Sequence, residues 1–249
     1  PQAITHNDME NWETEKLARL MEEFGDEWAE DEKVEDEPLS LPEVMFQTGD
    51  RPAVFLDRDG TINVEVQYLH RIEDFQWVSG APEAIRWLNE NGYAVIVVTN
   101  QAGIAHGYYH EEDVTCLHEF MQAELSKTKA HIDAFYYSPY HPEGKVEAYR
   151  REHPDRKPGT GLFVRAIEEW GIDPKHSFVI GDRNTDIDAG RALGMMTLLV
   201  LTGYGKQERL ETLAHFIVRD VVDAVEHIEM LQTRKRKGLN SDLWDEGDQ

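Results

Sequence analysis

A single cysteine, Cys116, stands among 249 residues. It leaves no partner for an intrachain disulfide and no thiolate cluster for a metal, the usage expected of a reducing compartment. Basic residues are scarce too: 25 Lys and Arg face 49 Asp and Glu, a formal charge of −24. Binding a nucleic-acid backbone takes clustered Lys and Arg that displace counterions, so this balance argues against a nucleic-acid partner. Long apolar runs are missing as well. A helix needs about 20 consecutive apolar residues to cross a bilayer, and the sequence offers none of that length. The start lacks the basic-then-apolar order of a secretory signal. These absences predict a cytoplasmic protein without membrane or nucleic-acid partners, a monomer or weak dimer. A small anionic ligand remains open to it, provided a few cations gather in one pocket inside the repulsive overall field.

With 40% hydrophobic residues the chain can bury one substantial core. Residues 1–50 form a separate acidic extension, with 16 acidic against 3 basic residues and a net of −13. Within it Leu17, Leu20, Met21, Phe24 and Trp28 recur at helical spacing and predict an amphipathic helix over about 9–29. Its apolar face either packs on the main domain or meets a partner. Residues 30–38 read as an acidic linker. The main domain spans 51–232, and 233–249 form a charged tail that contains Arg234-Lys235-Arg236-Lys237.

Between the ends, strand-like runs at 53–57, 94–99, 132–137, 177–181 and 196–201 alternate with helical patterns near 82–91, 112–127, 160–171, 186–193 and 220–231. This alternation predicts an α/β fold, a doubly wound parallel sheet with helices on both faces. Functional groups in such folds gather at the carboxyl ends of the strands. Four polar clusters fall there.

The first is Asp57-Arg58-Asp59-Gly60-Thr61, after the apolar run Ala53-Val54-Phe55-Leu56. Two neighbouring carboxylates call for a divalent cation or a retained proton, and a carboxylate can attack phosphorus to give an acyl-phosphate. Read alone, Asp-x-Asp-Gly is equally a turn closing a strand. The second is Thr99-Asn100-Gln101, able to grip phosphate oxygens or simply to cap a helix. The third is Arg156-Lys157-Pro158-Gly159, in an irregular stretch from Ser138 to Thr160; its cations could hold anions or form a surface pair beside a turn. The fourth is Gly181-Asp182-Arg183-Asn184-Thr185-Asp186, whose Asp182 would complete a hard-oxygen Mg²⁺ site with Asp57 and the backbone carbonyl of Asp59. Asp186 reads as a cap for the next helix. Gly203-Tyr204-Gly205-Lys206 lacks the spacing of a nucleotide loop and reads as a connection.

Taken together, these clusters over residues 53 to about 206 resemble the haloacid dehalogenase superfamily of Mg²⁺-dependent phosphohydrolases. The resemblance implies Asp57 as nucleophile, Asp59 as general acid and base, Thr99 and Lys157 as phosphate binders, and Asp57, Asp59 and Asp182 as the metal site. Asn100, Gln101, Arg156 and Arg183 are the candidates for substrate contact. Only 42 positions separate Asp57 from Thr99 and 58 separate Thr99 from Lys157. Neither gap holds a folded cap, so the site should be open and substrate choice should lie in its loops.

Val98-Thr99-Asn100-Gln101-Ala102-Gly103-Ile104-Ala105-His106-Gly107-Tyr108-Tyr109 and Tyr136-Tyr137-Ser138-Pro139-Tyr140-His141-Pro142-Glu143-Gly144 resemble the heptose-bisphosphate phosphatase branch, to which histidinol-phosphate phosphatases are near. That branch removes the 7-phosphate of D-glycero-D-manno-heptose 1,7-bisphosphate on the way to bacterial surface glycans, and the resemblance gives Arg156 a substrate phosphate. The sequence departs from the branch in having His106 for Arg. Ser138-Pro139-Tyr140 and His153-Pro154-Asp155 stand where the branch has Cys-x-His and Cys-x-Cys zinc ligands. A structural zinc is therefore expected to be absent, and packing of Tyr140, Tyr149 and Pro154 must order the loop, or it is mobile. A non-catalytic binding protein on the same fold is the competing reading.

Overall fold

The structure, a computed structural model, describes residues 49–236. The acidic extension with the helix predicted over 9–29, the linker, and the tail beyond 236 lie outside the described residues.

Six strands form one parallel sheet: β1 Ala53–Leu56, β2 Ala94–Asn100, β3 Ala134–Ser138, β4 Phe178–Gly181, β5 Met196–Val200 and β6 Phe216–Val218, in the order β3-β2-β1-β4-β5-β6. Among the described residues seven α-helices accompany them: α1 Ala81–Glu90, α2 Gly103–His106, α3 Glu111–Lys127, α4 Gly161–Trp170, α5 Asn184–Ala192, α6 Gly205–Glu208 and α7 Val221–Arg236. All five anticipated strands form, within two residues of their expected bounds. The sixth, β6, was not anticipated. It is three residues long and lies at the sheet edge beside β5.

Successive residues of a buried strand serve opposite faces, and β1 shows this directly. Val54 and Leu56 join a core with Ile85 and Leu88 of α1, Leu117 and Met121 of α3, and Val221 and Ile228 of α7. Ala53 and Phe55 join a second core with Phe163 and Ile167 of α4 and Ala189 of α5. Phe55 and Phe163 meet with ring centroids 5.2 Å apart. Burying each such side chain contributes about 1.5–3 kcal/mol, which is why the two-sided apolar pattern of β1 holds it at the sheet centre. Helix α7 continues to Arg236, so the start of the basic run is helical.

From β1 the chain winds outward through β2 and β3, then returns to place β4 on the other side of β1. The carboxyl ends of β1 and β4 thus flank the point where strand order reverses, the crevice such sheets use for ligands. No inserted domain interrupts the elements among the described residues. Between β1 and α1 the chain makes only a flap of irregular backbone pinned by bridges Asp59↔Asn63 and Asn63↔Trp77.

Candidate active site

The crevice is a cavity of about 430 Å³. Asp57, Asp59, Thr99, Asn100, Gln101, Arg156, Lys157 and Arg183, every anticipated site residue except the fully buried Asp182, line it.

Asp57 follows β1 directly, and its backbone N–H donates to Ile180 O of β4 (2.9 Å), which fixes the chain at the crevice. Its Oδ1 accepts from Lys157 Nζ at 2.7 Å. The same ammonium lies 2.6 Å from Asp186 Oδ1 and donates to Val98 O (2.6 Å). Burial alone would pull the Lys157 pKa down, but Asp186 and Asp57 more than offset it and the net shift is upward. The lysine is therefore a fixed cation at the centre of the site.

Oxygens of Asp57, Asp182 and Asp186 lie within 4.8 Å of one another. Asp182 Oδ2 accepts from Tyr204 N (2.7 Å), while its buried Oδ1 has no hydrogen-bond partner. Burial, then the charges of Asp57 and Asp186, push the Asp182 carboxyl up to about 8. Asp186 rises to about 6, chiefly through burial and against the pull of Lys157. Three carboxylates facing one buried lysine lack positive charge, and an unpartnered carboxylate oxygen among them is the kind of hard donor Mg²⁺ takes. The donor set fits that ion. Gly60 and Gly203 make the close approach possible: a Cβ on either would lie 2.2 Å or 2.0 Å from Asp182 Oδ2, and both have positive φ.

Asp186 does more than the cap read from sequence. It does accept from Arg183 N (3.1 Å) at the start of α5, but its other oxygen pairs with Lys157.

Asp59 is surrounded by donors. Its Oδ1 accepts from Asn63 Nδ2 (3.0 Å) and Oδ2 from Gln101 Nε2 (2.9 Å), and Arg58 reaches both oxygens. Gln101 also donates to Thr99 Oγ1 (3.0 Å), and Tyr109 OH donates to its carbonyl oxygen (2.7 Å), so the amide has one orientation. Asn100 exchanges two bonds with the Lys157 backbone, donating to its carbonyl (3.1 Å) and accepting from its N–H (3.0 Å). Both amides, anticipated as substrate contacts, line the cavity and also bond to Asp59 and to the Lys157 backbone.

The cations at the cavity mouth are Arg156, which donates to Tyr140 O (3.2 Å), and Arg183, whose guanidinium lies 3.6 Å from the Tyr204 ring centroid. Glu65, not singled out from sequence, also lines the cavity; burial and the Asp59 charge raise its pKa. Tyr140 stacks on His153 with centroids 3.9 Å apart, Arg151 lies over Tyr140 at 4.7 Å, and Asp155 pairs with Arg165 at 2.9 Å. Tyr137 (2.6 Å) and Tyr149 both donate to Glu111 at the start of α3. The long loop is thereby tied to the body through its aromatic residues.

A doubly wound sheet with a carboxylate cluster and a buried lysine at its switch point defines a HAD-type hydrolase, and a family model described as HAD-hydrolase-like matches residues 155–225. The D-glycero-β-D-manno-heptose-1,7-bisphosphate 7-phosphatase of Haemophilus influenzae is 40% identical over 172 residues, covering 69% of this chain and 93% of that protein. The chain belongs to that family of phosphatases. Among solved structures, a putative HAD-like phosphatase from Mesorhizobium loti superposes with a TM-score of 0.64 at 30% identity, over 74% of this chain and 88% of that one. D,D-heptose 1,7-bisphosphate phosphatase from B. bronchiseptica, complexed with magnesium and phosphate, gives 0.64 at 23% identity, over 73% and 99%, a likeness of fold. No helix among the described residues is long and apolar enough to cross a membrane.

Proposed function

We propose that the protein hydrolyses the 7-phosphate of D-glycero-D-manno-heptose 1,7-bisphosphate in the cytoplasm, through an aspartyl-phosphate on Asp57. One observation carries the reading: Asp57 lines an open cavity while its carboxylate meets Lys157 at 2.7 Å and the Asp182 and Asp186 oxygens within 4.8 Å. A nucleophile, a fixed cation and a divalent-metal donor set thus coincide.

Mg²⁺, held by Asp57, Asp182 and the Asp59 carbonyl, would supply charge neutralisation at the phosphoryl oxygens. The remaining steps belong to side chains. Lys157 and the Thr99 hydroxyl hold the phosphoryl group against Asp57. An Asp57 oxygen bonds to phosphorus as the phosphorus–sugar oxygen bond breaks, and Asp59, which must take up a proton when substrate binds, gives that proton to the leaving oxygen. Asp59 then takes a proton from water, which attacks phosphorus and frees Asp57. Arg156 and Arg183 offer the second phosphate a cationic rim within an acidic protein.

The test is phosphate release from heptose 1,7-bisphosphate, histidinol phosphate and simple esters, with and without Mg²⁺. Turnover that favours the bisphosphate and requires Mg²⁺ is expected; no release from any ester would sink the enzyme reading in favour of a binding protein. Arg156→Ala should raise KM for the bisphosphate about 10- to 100-fold, the worth of a charge-assisted hydrogen bond, and leave KM for a monophosphate nearly unchanged. Equal effects on both would remove Arg156 from the second phosphate.

We also propose that the Ser138–Thr160 loop needs no structural zinc, because the Tyr140–His153 stack and the Asp155–Arg165 pair form where the resembling branch has its zinc ligands. Purified protein should carry less than stoichiometric zinc, and a zinc chelator should leave the melting temperature in place. Tyr140→Ala should lower stability by about 1–2 kcal/mol, as expected for deleting a half-buried ring, measurable by denaturant unfolding.

A further inference from the structure

Between the two aspartates of the first cluster sits Arg58, the largest fully buried side chain among the described residues. It does not line the cavity. Burying a guanidinium is costly unless every edge of it is met, and here the partners are specific. Nε and Nη2 donate to Asp59 Oδ1 (3.3 and 3.2 Å), and Nη2 donates to Asp59 Oδ2 (3.0 Å) and to Leu69 O of the flap (3.0 Å). Nη1 meets Nε2 of His118 on α3 at 3.1 Å. A guanidinium has donors only, so Nε2 must accept and the imidazole carries its proton on Nδ1. The His118 ring stacks on Phe135 of β3, centroids 4.3 Å apart and 16° from parallel, which fixes its plane. Burial first, then the Arg58 charge, lower the His118 pKa to about 2, in keeping with a neutral acceptor.

These contacts run as one chain from the sheet to the cavity: Phe135 fixes His118, His118 fixes Arg58, and the planar fork of Arg58 fixes the Asp59 carboxylate and the flap together. We propose that Arg58 and His118 are positioning residues for the proton transfer that Asp59 makes to the departing sugar oxygen. The inference rests on the proposed phosphatase reaction and goes beyond it, since neither residue touches substrate. A lysine could supply the charge, but only as a point; aiming a carboxylate takes the fork.

A purely structural role and a positioning role differ in their dependence on the leaving group. An alkoxide needs its proton as the bond breaks, whereas p-nitrophenolate leaves with little help. His118→Leu removes the acceptor and keeps an apolar side chain against Phe135. It should lower kcat/KM for heptose 1,7-bisphosphate about 10- to 100-fold, the usual size of a misplaced proton-transfer group, and change kcat/KM for p-nitrophenyl phosphate less than about threefold. His118→Gln, which restores an acceptor, should recover most of the loss. Arg58→Lys keeps the buried charge, loses the fork and should show the same split between esters, so the comparison stands if His118→Leu does not fold. Equal losses on the two esters, or none on either, would overturn the assignment while leaving the phosphatase reading intact. A parent enzyme that turns over neither ester would instead remove the reading itself.

Discussion

Asp57→Asn should abolish phosphate release, by roughly 10⁴- to 10⁶-fold, while the protein folds as before. The amide is isosteric and its oxygen can still accept from Lys157 Nζ, now 2.7 Å from Asp57 Oδ1. What it cannot do is attack phosphorus, because the amide oxygen is a poor nucleophile and no acyl-phosphate forms. The stability side points the other way. Asp57 contributes one of three carboxyl groups whose oxygens lie within 4.8 Å, facing one lysine, and its charge is among the causes that raise both Asp182 and Asp186. Removing it relieves repulsion, so the melting temperature should hold or rise slightly. Residual activity within about tenfold of the parent would show that another group attacks. A collapse of the melting temperature would show that Asp57 is held for structure.

The sheet was legible because its central strands are buried on both faces and read as unbroken apolar runs ending in polar clusters: Ala53-Val54-Phe55-Leu56 before Asp57, and Ala94-Val95-Ile96-Val97-Val98 before Thr99. β6 escaped notice for a physical reason. Phe216-Ile217-Val218 is an edge strand with Ile217 48% exposed, too short to carry a periodic signal. The polar groups at strand ends were equally legible as types, since the carboxyl groups of Asp57 and Asp182 and the ammonium of Lys157 gather at the switch point. Their partners were not. Asn100 and Gln101 read as substrate contacts from the order of residues; that the Lys157 backbone also bonds both ends of the Asn100 amide depends on a chain reversal 57 residues later. Arg58 read as the unspecified residue between two aspartates, because a sequence does not show that it turns inward to His118, 60 residues away. Asp186 sat in plain view as a cap, and the cap is real. Its second oxygen, aimed at Lys157, became visible only once the loop and α5 were placed side by side.

Lys157→Met should be the most damaging single change to stability in the site, and it tests the electrostatic account directly. Methionine fills nearly the same volume, so the loss measures charge and hydrogen bonding rather than a cavity. Lys157 is 3% exposed and faces Asp57 and Asp186, at 2.7 and 2.6 Å. Without it, three carboxylates share a site with no internal cation, and one or more must take up a proton for the chain to fold. Breaking a buried pair by removing one partner costs about 3–5 kcal/mol, a fall in melting temperature of roughly 10 °C for a chain of this size. Activity should fall about 10²- to 10³-fold as well, the scale for losing one preorganised charge at a reacting centre. Mg²⁺ separates this account from simple loss of packing. Because a ligand that binds only the folded state stabilises it by mass action, and because the variant's carboxylates are left with more uncompensated charge, Mg²⁺ should raise the melting temperature of Lys157→Met by more degrees than it raises the parent's. An equal increment in both proteins would mean that the lysine and the metal donors do not share one electrostatic site, and the assignment of Asp57, Asp182 and Asp186 to a common cation would have to be withdrawn.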